Sequence, residues 1–144
     1  MNLEYEVMSI QQARELNPLV LAYIGDAVYE VHIRQSLVLT CPGKAHELHK
    51  KSIRFASAVG QSQAVEEVLP LLTEEETAIY RRGRNSKSAT MPKHAGVMEY
   101  RRATGLESVF GYLYLTGQTE RLRELIRVAL AAEEHQEKGT DEHE

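Results

Sequence analysis

The sequence predicts an all-α fold in one domain. Apolar residues recur at three- and four-residue steps along most of the chain, and no run of alternating β-branched residues appears. Capping boxes, Ser9-x-x-Gln12 and Thr73-x-x-Glu76, stand before two of the periodic segments. At 144 residues and 42% hydrophobic content the chain is long enough to bury a core of its own.

Taken in order, Ser9 caps a short first helix that ends near Asn17. Asn17 then caps a second helix, with Pro18 at its first position. This helix, over roughly 18–38, is apolar almost all round through Ile24 and keeps Val28, Val31 and Ile33 beyond, so it belongs in a core or against a second subunit. Cys41-Pro42-Gly43 is a turn, and residues 44–59 form a third helix with His46, Lys50 and Arg54 on one polar face. Gly60 separates it from a fourth helix reaching Leu72. The helix capped by Thr73 opens with three acids, which its dipole favours, and runs into Arg81-Arg82.

Residues 83–96 lack apolar periodicity and read as a long loop, a length that in a compact domain points to function or disorder. Helix resumes near Val97 and runs to Leu115, with a break expected around Arg102–Thr104. Thr119 caps the last amphipathic helix, giving about seven in all. The folded domain is expected over 1–134, and the polar, acidic residues 135–144 are expected to be disordered.

Several classes are set aside by composition. The longest apolar run, Leu19–Ile24, falls far short of the roughly 18 residues a membrane span requires. The N-terminus has early acids and no apolar stretch of the signal-peptide kind. A lone cysteine, Cys41, excludes an internal disulfide framework and suits a reducing cytoplasm. Net charge is −4, but residues 77–106 hold seven basic residues against the single acid Glu99. That segment therefore carries +6 and the rest of the chain −10. The asymmetry reads either as a phosphate footprint or as a solvated basic helix end.

Two acids are out of place. Asp26 follows Gly25 inside LVLAYIGDAVYE, where a mid-helix glycine costs about 1 kcal/mol relative to alanine. A desolvated carboxylate there needs compensation, from a metal ion, a basic partner or a salt bridge to Arg34. Glu107 repeats the anomaly as the only acid in GLESVFGYLYL. Two lone carboxylates that converge through the fold, without a histidine or cysteine set, suit a hard cation such as Mg²⁺, whose shell water and phosphate oxygens complete. Glu30, one turn after Asp26, reads as a neighbour of that site or as an exposed acid. His46-x-x-His49 is a weak zinc signal, no phosphate-binding glycine loop is present, and Tyr112 and Tyr114 read as packing.

These pieces resemble the ribonuclease III family. YIGDAV at 23–28 is similar to the F-L-G-D-A-V core of its signature, and LESVFGYLYL at 106–115 to its V-E-A-L-I-G-A-I-Y-L helix. RGRNSKS at 82–88, LHKKS at 48–52 and the lack of a double-stranded-RNA-binding domain resemble its short bacterial branch, Mini-ribonuclease III. The resemblance spans about residues 15–130. It implies a homodimeric, Mg²⁺-dependent endonuclease for double-stranded RNA, leaving 5′-phosphate and 3′-hydroxyl ends; by the divalent affinity order Mn²⁺ is expected to substitute. It gives Asp26 and Glu107 the catalytic and metal-holding roles. Where larger relatives carry further acids, this chain has Ala22 and Thr104, which leaves one or two ions per site open. RNA contact is expected from His46, Lys50, Arg54, Arg81, Arg82, Arg84, Asn85, Lys87 and Lys93. For the short branch the implied substrate is precursor 23S ribosomal RNA, matured at both ends, with a ribosomal protein as a candidate presenter. A non-catalytic RNA-binding assembly factor and a metal-dependent nucleotide hydrolase remain the other two readings.

Overall fold

The computed structural model describes residues 6–58, 60–87 and 96–142. Seven α-helices occur among them: α1 (Ile10–Glu15), α2 (Pro18–Thr40), α3 (Ala45–Ala56), α4 (Gln61–Val68), α5 (Glu74–Asn85), α6 (Val97–Leu115) and α7 (Thr119–Glu142). A 3₁₀ turn, Leu69–Leu71, follows α4, and the described residues contain no strand.

The caps sit where the local sequence predicts them. Ser9 and Thr73 each form a reciprocal capping box, with Gln12 and Glu76, and Asn17 Oδ1 accepts from the Leu19 N–H at 2.9 Å. The α6 helix is the centre of the molecule. It packs chiefly against α2 and α5 and also touches α4, α7 and α1. Buried on nearly every side from Ala103 to Leu113, it shares a core with Leu21, Tyr29 and Ile33 of α2 and Leu125 and Ile126 of α7. The rings of Tyr29 and Phe110 meet at 5.1 Å.

Three element boundaries differ from the sequence expectation. The α5 helix continues through Asn85, so Gly83, Arg84 and Asn85 form a last helical turn rather than a loop. Gly83 packs there against Gly105 and Ser108 of α6, and the Arg84 guanidinium lies 5.9 Å over the Tyr80 ring. Tertiary contact thus holds a turn that Gly, Asn and Ser disfavour by propensity. The α6 helix is continuous through Arg102–Thr104, where burial of Ala103 and Thr104 outweighs a weak local pattern. The α7 helix continues past Glu134 to Glu142.

An ion pair not anticipated from sequence locks α5 to α7. Arg121 Nε donates to Glu76 Oε2 at 3.0 Å and its Nη2 to Glu76 Oε1 at 2.8 Å and to the Leu71 carbonyl at 2.6 Å. Burial by itself would raise the Glu76 carboxyl, but Arg121 and Thr73 together hold it below its ordinary value. None of the described helices is long and apolar enough to cross a membrane.

Candidate active site

The site begins with a glycine crossing. A Cβ on Gly25 would meet the Glu107 carbonyl oxygen at 1.7 Å, and one on Gly111 the Leu21 carbonyl at 1.9 Å. Only glycine allows α2 and α6 to touch backbone to backbone. Asp26 and Glu107 are carried in by that crossing, and their side chains meet. Desolvation, then contact with Asp26 and its negative charge, push the Glu107 carboxyl up to about 9, against an opposing hydrogen bond from Gln61.

The two acids are not equally buried. Glu107 is partly buried, but Asp26 is exposed, which corrects the expectation of a desolvated aspartate. The Asp26 side chain leaves the apolar face of α2 at the edge of the α6 contact, where water reaches it. Arg34, the base named as a salt-bridge partner for Asp26, pairs instead with Glu30 at 2.7 Å.

Neither Ala22 nor Thr104 adds a donor. Ala22 is buried, and the Thr104 hydroxyl is occupied by the Tyr100 carbonyl at 2.9 Å. Among the described residues no three histidine, cysteine or acidic side chains cluster as a metal set. The donors on hand are the two carboxylates, oxygen of a hard kind. Gln61 was not singled out in the sequence, since a glutamine at a helix start carries no signal.

A second buried acid lies nearby. The Tyr29 hydroxyl donates to Glu133, whose other oxygen, Oε1, has no partner among the described residues. Burial pushes Glu133 up to about 8, with the Tyr29 bond opposing. The Tyr29 hydroxyl is itself raised, by burial first, then by Glu133, and also by the charge of Glu107.

The expected RNA-contact residues fall into two sets. His46, Lys50 and Arg54 are exposed on α3, which packs on α2. Arg81, Asn85 and Lys87 are exposed at the end of α5, with Arg84 half-buried beside them. The α3 helix packs on α2, whereas α5 packs chiefly on α6. Arg82 is turned to another use: it donates to the Arg14 and Leu16 carbonyls at 2.7 and 3.2 Å, closing the end of α1. Lys93 lies outside the described residues. His46 and His49 have no third ligand among the described residues, Tyr112 is buried in the core, and Tyr114 is exposed.

Comparison with known proteins bears on the same segment. The family profile described as Ribonuclease III domain matches residues 19–118. The chain is 46% identical over 129 residues to the Mini-ribonuclease 3 of Clostridium tetani, covering 87% of this chain and 83% of the relative. It is 50% identical over 115 residues to that of Enterococcus faecalis, covering 78% and 87%. A crystal structure of a Fusobacterium nucleatum protein superposes with a TM-score of 0.73 at 32% identity, over 83% of this chain and 96% of that one.

Proposed function

The chain belongs to the ribonuclease III family and is an endoribonuclease, and from that premise we propose that it cleaves double-stranded RNA with Mg²⁺ held by Asp26 and Glu107. One observation carries this reading: the glycine crossing of α2 and α6 that sets Asp26 against Glu107. Two carboxylates forced together, one of them raised to about 9, form a pair that a cation would relieve. Their oxygen donors fit a hard ion, and Mn²⁺, higher in the divalent affinity order, can take its place. Such a cation supplies positive charge to the phosphodiester and to the water that attacks it.

The protein's own groups do the rest. Asp26 faces water and Glu107 is partly buried, and the two would hold the cation where solvent and substrate can reach it. His46, Lys50 and Arg54 on α3, with Arg81, Arg84, Asn85, Lys87 and Lys93, supply the charge and hydrogen bonds for the RNA backbone. A-form RNA is read by shape, phosphates and 2′-hydroxyls, which suits dispersed basic residues rather than a base-reading element. Attack by water on the phosphorus leaves 5′-phosphate and 3′-hydroxyl ends.

The working unit in this reading is a homodimer. Val20, Tyr23, Ala27, Val31 and Val38 fall on one side of α2 and are exposed, Tyr23 to 81%. An apolar stripe of this length on the helix that also carries Asp26 suits a second copy of the chain, with one site from each. The substrate is precursor 23S ribosomal RNA in the cytoplasm, matured at its 5′ and 3′ ends, with a ribosomal protein presenting it. This rests on the sequence resemblance to Mini-ribonuclease III.

A cleavage assay tests the function. Long duplex RNA, its separated strands and free nucleotides are each incubated with the protein in Mg²⁺ and in EDTA. Cuts in the duplex alone, dependent on Mg²⁺ and ending in 5′-phosphate, are expected. Duplex binding without cutting would leave the non-catalytic assembly factor, and turnover of free nucleotides the hydrolase.

A further inference from the structure

Gln61 opens α4, yet it is only 1% exposed. The α3–α4 junction is shaped to place it there. Gly60 is pressed so closely on the end of α3 that a Cβ would meet the Arg54 carbonyl at 2.1 Å. Ser57 Oγ donates to that same carbonyl at 2.8 Å and accepts from the Gly60 N–H at 3.0 Å. The Gln61 backbone N–H then donates to the Ser57 carbonyl at 2.9 Å.

With its backbone pinned, the side chain reaches inward. Nε2 donates to the Ala56 carbonyl at 3.0 Å, and the amide lies against the Glu107 carboxyl, whose charged form it favours. Oε1 is buried and has no partner among the described residues. A buried amide with an unpartnered carbonyl costs folding free energy that an apolar side chain of equal volume would avoid. Packing alone therefore does not ask for glutamine here, whereas Glu107 does. The last torsion of a glutamate is broad, so a donor fixed to the backbone of another helix restricts it where packing cannot.

We propose that Gln61 is a positioning residue for RNA cleavage: its amide, anchored on the Ala56 carbonyl, holds the Glu107 carboxylate in place opposite Asp26. The proposal rests on the assignment of Asp26 and Glu107 as the cation-holding pair. Groups that orient metal-holding side chains affect affinity and rate by roughly 10–100-fold when removed.

The test compares Gln61→Met, which keeps volume but cannot donate, and Gln61→Glu, which keeps size and reach but presents no amide. Thermal midpoints, duplex binding in EDTA, kcat and KM in Mg²⁺, and Mn²⁺ binding to RNA-free protein by the resonance of free Mn²⁺ are measured. For Gln61→Met, Tm is expected to stay within about 4 °C of wild type, since a net change near 1 kcal/mol moves it no further. Duplex binding and KM are expected to hold, while kcat and Mn²⁺ affinity each fall by roughly tenfold or more. Gln61→Glu is expected to lose kcat to a similar extent. Asp26→Asn and Glu107→Gln run alongside: wild-type cleavage by either overturns the cation-holding pair. If both are inactive while Gln61→Met keeps wild-type kcat and Mn²⁺ affinity, only the role of Gln61 is overturned. It is overturned equally by wild-type kcat in Gln61→Glu, or by a loss in Gln61→Met that merely follows the folded fraction.

Discussion

Gly25 of α2 lies directly on the backbone of Glu107 in α6, so close that a Cβ would overlap the Glu107 carbonyl oxygen at 1.7 Å. The next residue, Asp26, is thereby delivered to the Glu107 side chain. A glycine that weakens α2 by about 1 kcal/mol as a helix former is the residue that brings the two acids together. Packing and site geometry are here one feature.

Gly25→Ala is accordingly expected to disturb both. Forcing a methyl into the crossing costs roughly 1–3 kcal/mol in strain and displacement, read as a lower urea midpoint. Cleavage is expected to fall by about 100-fold, since a shift near 1 Å in a reacting group has that effect. Wild-type cleavage by a destabilised Gly25→Ala would separate the crossing from the chemistry.

Asp26→Asn and Glu107→Gln are each expected to reduce cleavage by more than roughly 100-fold while duplex binding in EDTA is kept. Glu107→Gln carries a second signature. Glu107 keeps its proton to about pH 9 in the fold but releases it near 4.5 when unfolded, so its presence costs stability as pH rises through that window. In EDTA at pH 8 the Glu107→Gln variant is expected to melt above wild type. A lower Tm there would show that the carboxylate is held by a positive partner instead.

The basic residues are expected to divide by role. Replacing Arg84 and Lys87 by alanine will flatten the dependence of log K on log salt by about 0.9 for each duplex phosphate that is no longer neutralised. Lys50 and His46 on α3 are expected to act in the same direction. Arg82→Ala instead frees the end of α1, lowering Tm by a few degrees, for a loss of about 1 kcal/mol per hydrogen bond. An unchanged salt slope in the Arg84 and Lys87 variant would move the RNA surface elsewhere.

The exposed stripe on α2 is expected to be covered by a second copy. Light scattering at micromolar protein will give the dimer mass, and Tyr23→Glu with Val31→Glu will give a monomer that still folds, because both side chains point away from the core. A wild-type monomer would remove the dimer and its paired sites.

Stability is expected to peak between two opposing limbs. Glu76 is held below its ordinary value, so its contribution with Arg121 is complete above the usual carboxylate range and is lost as pH falls through the depressed value. Glu133, raised to about 8, acts with the opposite sign: folding loses stability as pH climbs from about 4.5 to 8. Arg121→Met is expected to cost about 3 kcal/mol at neutral pH and much less in acid, since it strands the Glu76 charge. Glu133→Gln is expected to flatten the alkaline limb. Both are read from urea midpoints across pH.

Local signals survived into the structure because their causes are local. Ser9, Asn17 and Thr73 cap helices through bonds spanning two or three residues, and those bonds are present. Asp26 and Glu107 were visible as acids set into apolar stretches of their helices, an anomaly that needs no knowledge of neighbours. Gln61, Arg82 and Arg121 were not, because each matters through a partner far along the chain, reached only after the helices cross. The same cause extends α5 through Asn85: Gly83 and Arg84 are held by α6 and Tyr80, against their own propensity.

By itself, then, the sequence determined the all-α class and the order of the helices, and it singled out Asp26 and Glu107 as acids on apolar stretches. These follow from periodicity, capping and the cost of a carboxylate among apolar residues, all readable over a few turns. Tertiary structure alone decided that Asp26 faces water while Glu107 is partly buried, that the Gln61 side chain is buried and anchored on the Ala56 carbonyl, and that Arg82 serves α1. Burial and partnership depend on where two helices cross, and that is set by the packing of the whole core rather than by any one segment.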